Sequence, residues 1–167
     1  MGRLGYPIFV ASQVNPFAKI RELLPVYHDA RAAAGHPKSS GEDISLLGPL
    51  YVGESPAHIR QELEPSIRRF LKSVASIYAM QGANFGIQSS RIKEVMERVR
   101  SMNYEKVCEV MGIFETPDGC VERLKGMEKE FGMGRMICWF NPGGMVPHTQ
   151  VLRSMELFAT KVMPQFE

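Results

Sequence analysis

Short apolar runs alternate along the chain with longer stretches in which apolar residues recur every three or four positions. The runs that lack this helical spacing are Tyr6–Ser12, Ile44–Val52 and Arg135–Phe140. Such runs are typical of strands in a parallel sheet, and we expect the first to be covered on both faces and the second to be buried. Gly48 and Pro49 predict a bulge or a bend within the second strand.

Helices with recognisable starts separate the predicted strands. The starts are marked by a proline, in most cases directly after a capping residue, at Asn15–Pro16, Ser55–Pro56, Thr116–Pro117 and Pro147. A capping side chain followed by proline at the first helical position is a common N-terminal signal. Gly35 ends the first of these helices, and Gly132 or Gly134 ends the third.

The region between the second and third strands contains more than one helix. The helix that opens at Ser55–Pro56 keeps one apolar face for about six turns. We predict a loop over Gln81–Ser90, followed by two weaker helical segments, Ile92–Met102 and Tyr104–Met111. The chain therefore carries an inserted helical region in addition to its strand–helix units.

A strand followed by a helix, three times over, predicts a parallel α/β protein. Three strands are few for this class, because an open flavodoxin-like sheet usually has five and a closed (β/α)₈ barrel needs eight. Residues 1–167 are enough for one domain. We therefore expect a single domain that forms part of a larger α/β architecture.

Composition excludes several classes of protein. The net charge of +2 is too small for binding nucleic acid or an anionic membrane through bulk charge. No stretch is long and apolar enough to span a membrane. Cys108, Cys120 and Cys138 form no C-x-x-C pair, which argues against a disulfide framework or a zinc cluster and favours buried free thiols. We expect a cytoplasmic protein without a metal.

The glycine loop Asn141–Met145 is the best local candidate for a binding site. Gly143 and Gly144 let the backbone approach a ligand, and the helix that follows offers unpaired N–H groups to an anion. His148 lies at that helix start and is the histidine best placed to contact a ligand bound at the loop. The alternatives are an ordinary strand-to-helix turn and an exposed histidine.

Two further pairs of residues end predicted strands at the edge where an α/β ligand would lie. Ser12 and Gln13 end the first strand, and Trp139 and Phe140 end the last. Alternation places Trp139 and Phe140 on opposite faces, so that at most one of them faces a pocket. No Ser/His/Asp or Cys/His arrangement and no carboxylate pair has a recognisable spacing, and the catalytic residues remain unassigned.

The C-terminal sequence resembles a known family. After Gly143–Gly144, the chain reads R-S-M-E-L-F-A over Arg153–Ala159 and V-M-P over Val162–Pro164. This is similar to the end of the bacterial luciferase-like monooxygenases, in which a glycine turn precedes a helix of this pattern. The likeness extends over nearly the whole chain.

Three earlier segments resemble the same family in order and spacing. Gly5–Ser12 and its helix are similar to the sixth barrel strand and helix, and Ile44–Ser55 is similar to the seventh strand. Thr116–Pro117 opens a helix where the family usually has Gly-Thr-Pro, with Glu115 in place of the glycine.

The resemblance implies a fold and a cofactor. The fold is a (β/α)₈ TIM barrel, commonly dimeric, of which this chain would supply the last three strand–helix units with an inserted helical region. The cofactor is reduced FMN or a deazaflavin, bound at the carboxyl ends of the strands. Residues 81–102 would correspond to the mobile lid over the active site of the family.

The resemblance also implies which residues bind the cofactor. The flavin-phosphate and catalytic positions of the family lie on earlier strands and have no counterpart in this chain. Six residues correspond to the far wall of the flavin pocket, and His148 adds a seventh candidate from its helix start. The seven are Ser12, Gln13, Phe140, Asn141, Gly143, Gly144 and His148.

The function implied is that of the C-terminal part of a flavin-dependent monooxygenase acting on a small organic substrate with oxygen. A flavin reductase, and either a second copy or a complementing N-terminal half, are the expected partners. One alternative is a non-catalytic half-barrel that associates with a partner chain. The others are part of a deazaflavin-dependent oxidoreductase and a small three-stranded binding module.

Overall fold

A parallel sheet forms the centre of the protein. The computed structural model describes residues 1–85 and 96–166. Its strands are β1 (Ile8–Ala11), β2 (Ile44–Val52), β3 (Ile113–Glu115) and β4 (Arg135–Trp139). β1 and β4 both pair in parallel with the first half of β2, and β3 pairs with its last three residues. β2 is therefore the central strand.

Helices connect these strands in the order predicted for an α/β protein. They are α1 (Phe17–Ala33), α2 (Pro56–Phe85), α3 (Tyr104–Val110), α4 (Pro117–Phe131) and α5 (His148–Leu157). Residues 96–100 are also helical, and α5 continues into a π-helical turn over Phe158–Val162. Three-residue 3₁₀ turns occur at Gly2–Leu4, Gly41–Asp43 and Met163–Gln165. The class predicted from the sequence is confirmed, whereas membership of an eight-stranded barrel stays a prediction.

Two of the predicted helix starts are capped by their own side chains. The Ser55 hydroxyl accepts a hydrogen bond from the His58 N–H at 3.3 Å, and the Thr116 hydroxyl accepts one from the Gly119 N–H at 3.4 Å. α1 differs, because it begins at Phe17 with Pro16 in the capping position. α4 ends at Gly132, whose φ of 64° is the left-handed conformation that favours glycine.

The centre of β2 contains no bulge. Its register with β4 stays one-to-one from Ser45 opposite Arg135 to Pro49 opposite Trp139, so the predicted bulge is wrong. Gly48 is required for another reason, because a Cβ atom there would lie 2.9 Å from the Ser12 hydroxyl oxygen. Pro49 lies between the residues of β2 that pair with β1 and those that pair with β3.

Two predictions in the inserted region need correction. The sequence predicted three strands, and β3 is a fourth. It was missed because its three residues are too few to give a sequence pattern. The loop predicted over Gln81–Ser90 is wrong for residues 81–85, which continue α2, and its remainder lies outside the described residues. Within the proposed lid, 81–102, residues 81–85 and 96–100 are helical and residues 101–102 are not, and the mobility of the lid stays a prediction.

The two faces of the sheet are covered differently. We call the face of Leu46 and Leu50 the outer face; it is buried against α1, α4 and the C-terminal turn. The inner face carries Phe9, Leu47 and Ile137, since Leu47 pairs with Ile137 and Phe9 pairs with Ser45, two residues before Leu47. Phe9 is 55% exposed and Ile137 is 50% exposed. The prediction that β1 is covered on both faces is therefore wrong.

The covered part of the inner face lies at the carboxyl end of β2. Here Tyr51 packs with Ile59, Leu63 and Ile67 of α2, all of them fully buried. The apolar stripe of α2 becomes exposed beyond Val74, and Ile77 is 54% exposed. α2 is thus the element that covers the inner face at the edge of the sheet where its strands end.

The remaining predictions concern cysteines, metals and membranes. Cys120 is buried, Cys108 and Cys138 are partly buried, and all three are free thiols. Burial raises the pKa of Cys120 to about 12 and that of Cys138 to about 11. Within the described residues, no cluster of three His, Cys, Asp or Glu side chains could hold a metal ion. No helix of the same residues combines the length and apolar character needed to cross a bilayer.

Candidate functional site at the carboxyl ends of the strands

All the candidate residues from the sequence lie just beyond the carboxyl ends of β1 and β4. This edge is where ligands bind in parallel α/β proteins, because the loops that follow the strands meet there. β1 and β4 flank β2, so the two segments occupy the same end of one sheet. The segment after β1 holds Ser12 and Gln13, and the segment after β4 holds the glycine loop.

The turn after β4 is closed by the side chain of Asn141. Its Oδ1 accepts a hydrogen bond from the Val146 N–H at 3.1 Å, and its Nδ2 donates to the Val146 carbonyl at 3.2 Å. The Asn141 carbonyl accepts from the Gly144 N–H at 3.1 Å. Asn141 therefore acts as a structural clamp that fixes both ends of the turn.

Gly143 makes the close approach that its sequence context predicts, but to a helix of the same chain. It has a φ of 88°, and a Cβ atom there would overlap the carbonyl oxygen of Ser66 in α2. The buried Ser66 hydroxyl donates to the Pro142 carbonyl at 2.6 Å and accepts from the Met145 N–H at 3.0 Å. The turn and α2 are thus joined through backbone groups and one hydroxyl.

Gly144 is different from its neighbour. Its φ is 70°, and no atom of the described residues lies within 4 Å of the position that a Cβ would occupy. His148, the first residue of α5, is also exposed. The open side of the turn is therefore at Gly144 and His148, and the side at Gly143 is filled by α2.

These contacts limit what the turn can bind. The N–H groups of Gly144, Met145 and Val146 all donate to acceptors within the protein. A phosphate bound by a turn needs several free N–H groups that point at it. The three donors are engaged, so in this conformation the turn lacks the donors expected of a phosphate site.

Ser12 is also engaged within the fold. It is fully buried, its N–H donates to the Leu47 carbonyl at 2.9 Å, and its hydroxyl donates to the Met111 carbonyl at 2.8 Å. The second bond ties the end of β1 to the segment that leads into β3. Its hydroxyl therefore stabilises the edge of the sheet.

The two aromatic residues at the end of β4 lie on opposite faces, as alternation predicts. Phe140 packs on the outer face, edge-on to Phe158 with ring centroids 5.7 Å apart. Trp139 packs on the inner face, edge-on to Phe70 of α2 at 5.4 Å. Phe140 is the candidate predicted from the sequence, whereas Trp139 is the aromatic residue on the side covered by α2.

Gln13 lines a cavity. The cavity has a volume of about 240 Å³ and lies between the end of β1, the second half of α2 and residues 98–102. Its walls are mainly apolar and include Phe70, Leu71, Val74, Val99, Met102 and Met111. Its polar groups come from Gln13, Tyr78 and Arg98. The amide oxygen of Gln13 is buried and has no hydrogen-bond partner among the described residues.

A larger groove of about 790 Å³ runs between α1 and α4. Four of its six charged side chains are paired with one another, Arg21 with Glu130 and Arg123 with Glu115. The Arg21 guanidinium lowers the pKa of the Glu130 carboxyl through this hydrogen bond. Most charges of the groove are therefore neutralised by a neighbour, whereas the cavity at Gln13 offers a buried acceptor that has no partner among the described residues.

The structure also brings together polar side chains that the sequence did not connect. Glu62 of α2 is nearly buried and accepts a hydrogen bond from the Tyr51 hydroxyl at 2.8 Å. Arg153 of α5 and His58 approach the same carboxylate, at 2.5 Å and 3.2 Å. Burial and the bond to Glu62 raise the pKa of Tyr51. This cluster joins α2 and α5 to β2. It could not be predicted from sequence spacing, because its members come from three distant elements.

Comparison with known proteins places the fold. The sequence model of the luciferase-like monooxygenase family matches residues 1–133. Monooxygenase RslO1 from Streptomyces bottropensis is 23% identical, with a TM-score of 0.67 over 99% of this chain and 44% of that one. A comparison with curated proteins finds no match.

Two other solved structures share the fold at lower identity. The oxygenating constituent of 3,6-diketocamphane monooxygenase from Pseudomonas putida, a type II Baeyer–Villiger monooxygenase in complex with FMN, is 16% identical with a TM-score of 0.65 over 98% of this chain and 44% of that one. Coenzyme F420-dependent tetrahydromethanopterin reductase from Methanopyrus kandleri is 13% identical with a TM-score of 0.52 over 89% and 42%. The chain thus spans less than half the length of these relatives.

Proposed function

The chain belongs to the luciferase-like monooxygenase family, and on this basis we propose that it forms the carboxyl-terminal part of a flavin-dependent oxidoreductase that acts on a small organic substrate. Among the proteins of the same fold, one is a monooxygenase in complex with FMN and one depends on coenzyme F420. These two support reduced FMN as the cofactor and a deazaflavin as the alternative.

The observation that carries this proposal is the uneven covering of the sheet. Phe9 and Ile137 expose half of their apolar surface on the inner face, while the outer-face residues of the same strands pack against a hydrophobic core. In a (β/α)₈ barrel, the inner faces of strands are covered by side chains from the other strands. We infer that β1, β2 and β4 are the last three strands of such a barrel.

The described residues do not fit a whole flavin. The cavity at Gln13 measures about 240 Å³, below the roughly 300–1,000 Å³ typical of cofactor pockets. Three N–H groups of the turn after β4 donate to acceptors of the same chain, so they are not free to bind the flavin phosphate. We therefore assign most flavin contacts to strand–helix units other than these and derive no step through the cofactor.

The seven candidate residues then fall into two groups with different proposed roles. Gln13, Gly144 and His148 have an unpaired atom or an open side and would face the flavin or the substrate. The remaining four shape the edge around them through internal contacts: Ser12, Phe140, Asn141 and Gly143. The chain's own contribution is to form one wall of the pocket, orient the ligand and exclude water.

The exposed inner face also supports a partner. Its uncovered apolar side chains favour association with a complementing N-terminal half or with a second copy of the chain. If the enzyme is a monooxygenase, oxygen and a flavin reductase complete the set of partners. The internally paired turn after β4 favours the second candidate function, a non-catalytic half-barrel held by a partner chain.

The coding sequence on the 5′ side of residue 1 tests the proposal. We expect it to encode further strand–helix units, and the two products purified together to bind FMN with saturable quenching of its fluorescence. The chain alone should change FMN fluorescence little, because it supplies one wall of the pocket.

Two outcomes would contradict the proposal. One is a coding sequence without strand–helix units in any reading frame. The other is saturable quenching at low micromolar FMN by the chain alone, which would mean that these residues suffice for flavin binding. Size-exclusion chromatography of the chain alone separates the candidates further, since a stable monomer argues against association of its open face with a second copy.

A further inference from the structure

The Gln13 cavity differs from the rest of the edge because it holds a buried polar atom that has no hydrogen-bond partner among the described residues. An amide oxygen that is buried without a hydrogen-bond partner destabilises a protein interior, because it has lost its bonds to water and gained none. Within the described residues, the Gln13 Oε1 has no partner, while the Ser12 hydroxyl and both the oxygen and the nitrogen of the Asn141 side-chain amide have one. An acceptor left in this state points to a donor supplied by a ligand.

We propose that this cavity binds the substrate, and that the substrate is a small, mostly apolar molecule of about one ring whose hydroxyl or N–H group donates to Gln13 Oε1. The identification of the ligand as a substrate rests on the proposed function, whereas binding of a small molecule in the cavity does not depend on it. Tyr78 and Arg98 line the same cavity and offer donors to a second oxygen on the molecule.

The size and lining of the cavity set this class. A volume of about 240 Å³ equals roughly eight water molecules in the liquid, enough for a substituted ring and too small for a flavin. Val74, Leu71 and Val99 give apolar walls, against which water in the cavity would make few hydrogen bonds. Met102 and Met111 add flexible thioether side chains that adapt to the shape of a ligand.

The position of the cavity connects it to the candidate site. Phe70 lines it and also packs edge-on against Trp139, at the end of β4. Met111 lines it and accepts the hydrogen bond from Ser12 that fixes the end of β1. A ligand in the cavity would therefore be held against rigid parts of the sheet edge, as a substrate must be for reaction.

The test compares two probes that differ in one donor, 4-methylphenol and 4-methylanisole. Each is titrated into the uniformly ¹⁵N-labelled full chain without flavin, and the Gln13 side-chain amide is followed by NMR. We expect saturable shifts with 4-methylphenol at about tenfold lower concentration than with 4-methylanisole, because only the phenol can satisfy the acceptor.

Variants separate the hydrogen bond from the cavity. Gln13→Met keeps the length of the side chain and removes the acceptor, and should weaken 4-methylphenol about tenfold while leaving 4-methylanisole within twofold. The exposed Gln61→Met in α2 is the matched control and should change neither. Val74→Phe fills the cavity and should abolish binding of both probes. In the variants, backbone amide shifts away from the substituted residue report both the binding and the retained fold.

Two results would overturn the proposal. Equal affinity for the two probes would mean that Gln13 Oε1 accepts no hydrogen bond from the ligand. No saturable shift with either would mean that the cavity is filled by water only. Because these titrations contain no flavin, their failure is distinguishable from failure of the FMN test: probe binding can persist where flavin binding fails, and the reverse.

Discussion

The turns that follow β1 and β4 lie at the same edge of one sheet but differ in whether their polar groups have hydrogen-bond partners among the described residues. After β4, Asn141 and Ser66 pair with the backbone of the turn, and Gly143 packs against α2. After β1, the Gln13 amide oxygen is buried without a partner among the described residues, beside a cavity. The turn after β4 is stabilised by its contacts, whereas the turn after β1 has a buried acceptor without a partner among the described residues.

This difference shows that the conspicuous motif and the open site are separate. The paired glycines after β4 carry the sequence signal for close backbone approach, and the structure uses that approach for a helix. The residue left open to a ligand is a glutamine with no local motif. A glycine-rich turn at the carboxyl edge of a sheet is therefore weak evidence for a ligand until the partner of its backbone is known.

The largest expected effect comes from breaking the contact between the turn and α2. Gly143→Ala adds a Cβ that overlaps the Ser66 carbonyl and forces a left-handed φ on alanine. We expect the free energy of unfolding to fall by about 3 kcal/mol or more, measured by urea denaturation.

Gly144→Ala is the matched control for this substitution. It has a similar φ of 70° and open space around its Cβ, so only the backbone strain of about 1 kcal/mol applies. Equal costs for the two variants would show that α2 does not press on Gly143, and the contrast between the two turns would lose its basis.

A smaller loss is expected from removing the Ser66 hydroxyl. Ser66→Ala leaves the Pro142 carbonyl and the Met145 N–H without their partner and should cost about 2 kcal/mol in thermal or urea unfolding. Ser76→Ala on the same helix is the control, since its hydroxyl bonds the Lys72 carbonyl at an exposed site. A loss no greater than that of the control would argue that water replaces the hydroxyl.

The smallest effect has the opposite sign and concerns the turn after β1. Gln13→Met removes a buried acceptor that has no described partner and should raise the free energy of unfolding by about 1 kcal/mol. Gln61→Met, at an exposed position of α2, should be nearly neutral. A destabilised Gln13→Met protein would mean that the amide already has a partner in the folded chain.

Much of the fold followed from local pattern. The apolar runs placed three of the strands, and the side chains of Ser55 and Thr116 capped their helices where the sequence placed them. These features were predictable because each depends on residues within a few positions of one another. β3 was missed because three residues are too few for a periodicity, and β2 supplies the pairing that makes them a strand.

Much less of the candidate site followed. Alternation correctly separated Trp139 from Phe140, since it is a property of any strand. Which of the two faces is covered by α2 depends on contacts between distant parts of the chain, and the sequence analysis selected the other residue. The same holds for Ser12, whose hydroxyl bonds to a carbonyl 99 positions away.

The sequence by itself determined the class of fold, the order of its elements and the membership of the luciferase-like monooxygenase family. Tertiary structure alone decided which polar groups at the sheet edge are paired, because their partners come from α2, from the segment before β3 and from the opposite side of a turn. Hydrogen bonds between residues close in sequence can be predicted from those residues, whereas the hydrogen-bond partner of a buried polar group depends on all the segments that pack around it. Gln13 stands out only after that packing is complete.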